Sequence, residues 1–241
     1  MPILNRVLRA MTPEAQAFLA KRMTTRELIT GETLYQANQS FEHTVFPHSG
    51  IISVLSEVER GYSVEKVSIG EEGFTGFTAL LGGDVALGRA VVQIGGYASV
   101  IRLQDLDEAI SSFACVRKVL LLYSRALIGQ LMELVACNSL HSAPQRVSRW
   151  LLHANERMEG SNFRLTQETL SHILGLRRAT VSAACSHLLK SGAIHYSRGT
   201  ISVLDTQLLR SFSCQCHDRI AAINLPRQIG GPEALTSSPA S

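Results

Sequence analysis

The sequence predicts an α+β fold in which an N-terminal β jelly roll is followed by one long helix and a C-terminal winged helix-turn-helix. Three observations support this fold class. Short apolar runs between glycine-rich turns occupy the N-terminal part, a stretch almost free of glycine and proline follows, and the basic residues are concentrated after that stretch. The predicted units are residues 1–104, 105–141 and 142–222, with a disordered tail at 223–241.

Strands are predicted where short apolar or alternating runs are bounded by turn residues. A short helix should precede them at about residues 12–23, because Thr12 can cap it and Pro13 suits its first turn. Short strands at regular spacing with glycine-rich turns are typical of a β-sandwich or barrel. The runs are Thr33–Tyr35, Thr44–Phe46, Gly50–Leu55, Val64–Ile69, Ala90–Ile94 and Ala98–Leu103.

A long amphipathic helix is predicted at residues 105–139, where apolar side chains recur at three- and four-residue steps. Its apolar face is wider than packing on the roll requires, particularly at Leu120–Tyr123, so a second surface should pack against a partner helix as in a coiled coil. The alternative is a helix buried within one subunit. The residues predicted to form the dimer contact are Val116, Leu120, Tyr123, Leu127 and Leu131.

A hinge is predicted at residues 142–145, because Pro144 cannot continue the preceding helix but suits the first turn of the next one. The next helix, Gln145–Met158, should end at a turn over residues 160–162. Its side chains expected to point inward are Val147, Trp150, Leu151 and Leu152.

A helix-turn-helix is predicted after that turn. Thr166 caps a first helix that ends at Gly175, and Thr180–Ser191 forms a second helix. In this motif the N-terminal residues of the second helix enter the major groove of DNA. The side chains expected to pack back onto Leu170 and Leu174 are Val181, Leu188 and Leu189. Two short strands in Ala193–Leu204, joined by Arg198-Gly199, predict a wing.

The charge distribution supports binding to phosphate in this C-terminal segment. Residues 142–204 hold 8 Lys and Arg against 3 Asp and Glu, whereas residues 1–141 hold 12 against 14. Arg177 and Arg178 are disfavoured at a helix N-terminus by the macrodipole, so contact with a guanine edge or phosphate would offset that cost; the alternative is two solvated arginines. The candidate DNA contacts are Thr166, Gln167, Arg177, Arg178, Thr180, Ser182, His187 and, to phosphate, Arg198.

The five cysteines are scattered and odd in number, which argues for reduced thiols rather than a disulfide framework. Only Cys214 and Cys216 form a close pair, with His217 beside them. No second CxC or CxxC completes a four-ligand set, so packed thiols are favoured over a metal site and no metal ligands are predicted.

Two groups of motifs follow one another along the chain. The C-terminal group is Leu165-Thr166-Gln167-Glu168, Leu174-Gly175, Thr180-Val181-Ser182 and Leu188–Gly192, with the wing after it; the N-terminal group is Gly31–Tyr35, Gly50–Val54 and Gly70–Gly76. With these motifs the chain resembles the Crp/Fnr superfamily of transcription regulators, up to about Leu204. The resemblance implies a cyclic-nucleotide-binding-like jelly roll, a homodimer formed by the long helix, and double-stranded DNA as partner.

The candidate ligand positions depart from that family. Cyclic-nucleotide binders carry Glu where Phe77 follows Gly76, and Ser or Thr where Ala90 follows Arg89. An apolar ring would leave a ribose hydroxyl unpaired at a cost of ~1–3 kcal/mol, so cyclic nucleotide binding is not expected.

The N-terminal cysteine cluster of iron–sulfur members is absent, and the spacing of His43 and His48 does not indicate haem, so the cofactor is unknown. Ala179 and Ala183 stand where well-studied members carry Glu and Arg, so the operator should differ from theirs.

These observations favour a homodimeric, sequence-specific transcription regulator that is not an enzyme and binds a palindromic operator. RNA polymerase and an unidentified small-molecule effector are further expected partners. No signal peptide or membrane-length apolar run is recognised, so the chain is expected in the cytoplasm without a membrane partner. The alternatives are a cupin-like enzyme, for which the required HxH pair is missing, and a ligand-binding jelly roll with a degenerate helical domain.

Overall fold

The computed structural model describes residues 4–58, 62–83, 85–158 and 162–223. It has the predicted α+β fold, with an N-terminal domain of two antiparallel sheets, a long helix and a C-terminal helix-turn-helix. Most of the predicted turn at 160–162 and nearly all of the predicted tail lie outside the described residues.

The N-terminal domain is a β-roll preceded by two short helices, α1 (Arg6–Arg9) and α2 (Pro13–Ala20). Every run predicted as a strand coincides with a strand, except that Gly50 precedes its strand and Leu103 already belongs to a helix. The additional one, β1, escaped prediction because its polar sequence Thr-Thr-Arg-Glu-Leu buries only its last side chain. The strands are β1 (Thr24–Leu28), β2 (Thr33–Tyr35), β3 (His43–Pro47), β4 (Ile51–Val58), β5 (Tyr62–Ile69), β6 (Arg89–Ile94) and β7 (Gly96–Arg102), with α3 (Phe77–Leu80) between β5 and β6.

The seven strands of the roll form two sheets. One sheet has the order β2-β6-β4-β5 and the other the order β1-β7-β3, and every neighbouring pair is antiparallel. Their inner faces form a core around fully buried Phe46, Ile52 and Ile69, onto which the helices pack.

Two helices replace the single long helix predicted at 105–139. They are α4 (Leu103–Ser112) and α5 (Ala114–Leu140), and Phe113 separates them in an extended conformation (φ −131°, ψ 107°). The ring of Phe113 packs edge-on against Phe18, with the ring centroids 5.3 Å apart. The prediction of one uninterrupted helix was therefore wrong, because an aromatic anchor rather than glycine or proline breaks it.

The apolar residues of α5 divide between two faces. Val116, Leu120, Tyr123 and Leu127 lie in the core of the roll and are at most 1% exposed, so they cannot be the predicted dimer contact. Leu131 is partly buried against the same core. The other face exposes Leu121 (41%), Ile128 (49%), Met132 (70%) and Val135 (68%).

By length and composition alone, α5 could also cross a membrane, which corrects the expectation that no segment is apolar enough. The core helix of a soluble protein meets the same criterion. Because one face of α5 completes the core of the roll, we assign the helix to the fold of this subunit.

The C-terminal domain begins with α6 (Ala143–Arg157), whose start is fixed by Gln145. The Oε1 of Gln145 accepts a hydrogen bond from the backbone N–H of Ser142 at 2.9 Å, which satisfies a donor at the helix start. The four predicted inward residues of this helix are all buried. The remaining elements are β8 (Phe163–Arg164), α7 (Gln167–Leu174), α8 (Arg178–Lys190), β9 (Ile194–Ser197), β10 (Thr200–Val203), α9 (Thr206–Ser211) and α10 (Cys216–Ile223).

Buried polar contacts join the C-terminal domain to the roll. Arg157 at the end of α6 donates to Glu72 at 2.6 Å, and the two side chains are 10% and 4% exposed. Trp150 donates through Nε1 to Glu65 on β5 at 3.1 Å. Ile51 and Ile94 of the roll belong to the hydrophobic core of the C-terminal domain.

Candidate nucleic-acid interface

The helix-turn-helix consists of α7, a tight turn and α8. The hydroxyl of Thr166 caps α7 by accepting from the N–H of Thr169 at 3.0 Å, as predicted. Gly175 ends α7 with φ +59°, a left-handed conformation in which glycine lacks the strain of a side chain. Arg177 then precedes the first turn of α8, which contains no acidic residue and begins with Arg178.

One face of α8 packs on the domain core. Val181, Ala184, Cys185 and Leu188 are buried, which confirms the predicted inward direction of Val181 and Leu188. Leu189 is 43% exposed, so its predicted packing on α7 was wrong. It follows Leu188 by about 100° around the helix, which turns it away from the core.

The opposite face of α8 is open to solvent. Of the predicted DNA contacts, Arg177, Arg178 and Thr180 are exposed and Ser182 is half-buried. The structure adds Ser186 and Lys190, which share the exposed face with Ala179 and Ala183 and were absent from the predicted contacts. Both positions could have been predicted from the sequence, because each residue of a helix is rotated by about 100° from the one before it and the buried side of α8 was known from Val181 and Leu188.

His187 lies at the edge of this face rather than at its centre. Its ring packs edge-on against Phe212, with the ring centroids 5.0 Å apart. A packing role at the α8–α9 junction explains this contact without DNA.

The wing is the hairpin of β9 and β10, with β8 as a third strand. Arg198 (φ +49°) and Gly199 (φ +77°) form its two-residue turn, and left-handed residues at both positions are typical of a type I′ hairpin. Arg198 is exposed, and it lines a cleft of about 800 Å³ together with Arg164, Thr166 and residues of the roll. Gln167 is half-buried at the start of α7.

The eight basic residues of the segment 142–204 divide into an internal and a surface group. Arg157 pairs with Glu72, Arg149 is 5% exposed, and a guanidinium nitrogen of Arg146 donates to the backbone carbonyl of Leu174. Five basic side chains therefore remain at the surface, and all are found on α8, β8 or the wing: Arg164, Arg177, Arg178, Lys190 and Arg198.

Residues 145–212 match a family model described as a Crp-like helix-turn-helix domain. This segment is a Crp-like helix-turn-helix domain. The chain has no significant match among curated proteins.

Solved structures resemble the chain over most of its length. FixK2 from Bradyrhizobium japonicum is 17% identical, with 80% of this chain and 98% of that chain covered and a TM-score of 0.65. The c-di-GMP responsive global regulator CLP of Xanthomonas campestris is 14% identical, with coverage of 80% and 99% and a TM-score of 0.65. A CRP-family transcriptional regulator from Thermus thermophilus is 17% identical, with coverage of 78% and 96% and a TM-score of 0.64. The Crp-like domain is thus the C-terminal part of a Crp/Fnr fold.

The four candidate ligand positions in front of the Crp-like domain line neither of the two cavities described in this section. Gly76 and Phe77 open α3, and Phe77 packs against the core of the roll. The guanidinium of Arg89 pairs with Glu57 at 2.9 Å, and Ala90 is fully buried.

Aromatic side chains fill the space beside Gly76. The rings of Tyr35 and Phe41 are 5.2 Å apart, and burial raises the pKa of Tyr35 to about 12. Both line a nearby cavity of about 270 Å³, whose lining includes none of the four candidate ligand positions.

The two histidines considered for haem are placed apart at the ends of β3. His43 is exposed, whereas both ring nitrogens of His48 have partners: Asn5 N–H at 3.2 Å and the Ser99 hydroxyl at 2.8 Å. His48 therefore has no ring nitrogen available for a metal, and the two side chains do not converge as a cupin site requires.

Proposed function

We propose that the protein is a homodimeric, sequence-specific transcription regulator that binds a palindromic DNA site through α8 and the wing. The observation that carries this proposal is the match to a Crp-like helix-turn-helix domain whose α8, β8 and wing carry five surface basic residues. A further surface cation of the domain, Arg210 on α9, pairs with Asp218. Exposed cations on these elements can supply the phosphate contacts that dominate affinity for DNA.

The N-terminal turn of α8 is the base-reading element of the proposal. In the helix-turn-helix mode this turn enters the major groove, where an arginine can donate two hydrogen bonds to the O6 and N7 of guanine. We assign this contact to Arg178. Arg177, Thr180 and Ser182 are its neighbours on the helix. We assign contacts with the DNA backbone to Thr166 and Gln167 at the start of α7.

The exposed face of α5 is the proposed dimer contact, in place of the buried residues that the sequence favoured. Leu121, Arg125, Ile128, Met132 and Val135 follow one another at alternating steps of four and three residues. That spacing is the a and d pattern of a coiled coil. A two-fold axis along this seam would present two α8 helices to half-sites about one helical turn apart.

The roll is proposed as a sensor that does not use cyclic nucleotide. The phosphate-position arginine, Arg89, is engaged by Glu57, and Phe77 offers no acceptor for a ribose hydroxyl. A small-molecule effector of other chemistry and RNA polymerase remain expected partners.

A gel shift on genomic DNA fragments, titrated with salt, tests the function. We expect a discrete complex on a subset of fragments that weakens steeply with salt, and no change when cyclic AMP is added. Selection from random DNA should return an inverted repeat. Uniform weak binding to every fragment, without a selected motif, would contradict the proposal.

A further inference from the structure

The structure gathers four metal-ligating side chains that are distant in the sequence. Cys137 and His141 lie four residues apart at the C-terminal end of α5, and Cys214 and Cys216 lie between α9 and the start of α10. Their ligand atoms all lie within 4.8 Å of one another. The sequence showed only the Cys214–Cys216 pair, because the other two ligands come from a helix more than seventy residues earlier.

We propose that Cys137, His141, Cys214 and Cys216 bind one Zn²⁺ ion that fastens the end of the chain to the long helix. This site does not depend on the proposed DNA-binding function.

The distances fit a single tetrahedral ion. The Sγ atoms of Cys137 and Cys214 are 3.5 Å apart, and the Sγ of Cys216 is 3.6 Å from the Nδ1 of His141. With Zn–S of about 2.3 Å and Zn–N of about 2.0–2.1 Å, tetrahedral ligands lie about 3.5–3.8 Å apart. A cubane iron–sulfur cluster places each thiolate on a different iron atom, so its ligands would be farther apart than these.

The composition of the set also favours zinc. Three thiolates and one imidazole are a known structural zinc combination, and soft sulfur ligands exclude magnesium and calcium. The three cysteines form a buried cluster of their own, separate from the cores of the roll and of the Crp-like domain.

Buried arginines next to the cluster supply charge balance. Zn²⁺ with three thiolates carries one net negative charge. Arg149 on α6 is 5% exposed, and its Nε has no hydrogen-bond partner among the residues that the structure describes. Its charge acts on both Cys137 and Cys214. The Nε of Arg146, one turn earlier, is likewise buried without a partner. An anionic metal centre would add to the negative charge that faces Arg149, whose charge also acts on the carboxyl of Glu65.

The surrounding contacts show what the ion would hold together. From the cluster, α10 returns along α5, where Arg219 pairs with Glu133 at 3.8 Å and Ile223 lies against Gly129. His141 immediately precedes Ser142, which caps α6. The ion would therefore join both sides of the hinge, and α10, into one unit.

Metal content and cobalt substitution test the site. Full-length protein purified under reducing conditions should contain one zinc per chain by elemental analysis and native mass spectrometry. After removal of zinc with a chelator, Co²⁺ should produce the intense visible absorption of tetrahedral thiolate coordination. Zinc should raise the melting temperature of the chelator-treated protein, because metal affinity adds to folding stability.

Ligand variants separate binding from folding. His141→Ala should weaken zinc affinity by more than the roughly 10–100-fold that loss of an outer-shell partner causes. His141→Cys restores a fourth ligand and should retain one zinc per chain. Cys115→Ser, a cysteine outside the cluster, is the matched control and should bind zinc as the unaltered protein does.

Three outcomes would overturn the proposal. The first is reduced, folded protein that binds neither Zn²⁺ nor Co²⁺ when the metal is added. The second is a Cys137–Cys214 disulfide in protein without zinc affinity, and the third is an iron–sulfur absorption spectrum in the protein as purified.

Discussion

Two exposed arginines of the Crp-like domain differ in what they can recognise. Arg178 opens α8, where the positive end of the helix dipole disfavours a cation by ~0.3–1 kcal/mol and no acid in the first turn offsets it. Arg198 lies in the turn of the wing hairpin, where no helix dipole disfavours its charge. We therefore assign a base contact to Arg178, because such a contact would offset the unfavourable dipole interaction. We assign a phosphate contact to Arg198 at the tip of the wing.

Replacing either arginine by alanine should therefore give a different defect. Arg178→Ala should relax specificity at one position in each half-site, since a bidentate guanine contact contributes ~1–3 kcal/mol of discrimination. Arg198→Ala should weaken binding to all sequences and make the salt slope shallower by about one unit per subunit. Selection from random DNA and salt-titrated gel shifts measure the two effects.

The matched control is Arg102→Ala, an exposed arginine at the start of α4 on the roll. It removes the same charge from the roll instead of from the DNA-binding domain, and it should change neither quantity. An unaltered motif for Arg178→Ala would refute the base contact.

At the scale of the element, α5 has one face in the core of the subunit and an exposed apolar face that we propose for a partner subunit. Ile128→Glu should convert the dimer to a monomer, because two symmetry-related carboxylates would meet in the seam. Like charges at an interface cost several kcal/mol, so dimerisation should weaken at least about 100-fold. Because the Ile128 side chain is 49% exposed in the subunit, the fold should survive. Sedimentation velocity and circular dichroism measure both properties.

Two comparison variants make this result specific to the seam. Leu87→Glu alters a similarly exposed apolar residue (64%) on the roll and should stay dimeric. Leu120→Ala, inside the core, should lower stability by about 2–5 kcal/mol. A dimer that persists in Ile128→Glu would place the subunit contact elsewhere.

At the scale of the whole molecule, the Glu72–Arg157 pair makes domain docking sensitive to acid. Burial alone would raise the pKa of Glu72, but the charge and hydrogen bonds of Arg157 lower it below its ordinary value of 4.5. The stability that this pair contributes is therefore fully present above pH 4.5 and is lost as the pH falls through the lower folded pKa. Removal of one partner of a buried pair costs about 3–5 kcal/mol.

The single tryptophan reports on this interface, because the indole of Trp150 donates to Glu65. We expect its fluorescence to change as the pH falls below about 4.5. In Glu72→Gln the fluorescence should already have its altered value at neutral pH, and it should no longer change as the pH falls. Glu65 also titrates at this interface, but burial raises its pKa, whereas the pKa of Glu72 is lowered. Glu65→Gln removes the titration of Glu65 and is therefore the control that isolates the effect of Glu72. The same acid dependence in Glu72→Gln would show that another group is responsible.

The sequence predicted features set by local pattern and missed those set by tertiary packing. Alternation and turn residues located the strands, and Thr166 and Gly175 located the helix-turn-helix. The break at Phe113 depends on a contact with Phe18, nearly a hundred residues away, so helical periodicity could not show it. Likewise, charge counting could not separate Arg157, which pairs with Glu72, from the surface arginines.

The exposed apolar face of α5 also bears on how the protein persists in a cell. If the proposed dimer forms, a newly made subunit displays Leu121, Ile128, Met132 and Val135 until it meets a second copy. An apolar stripe of this kind is a target for chaperones and proteases. Pairing is second order in concentration, whereas degradation of lone subunits is first order. The amount of surviving regulator should therefore rise more steeply than its rate of synthesis, so that weak expression is filtered out before any promoter is reached.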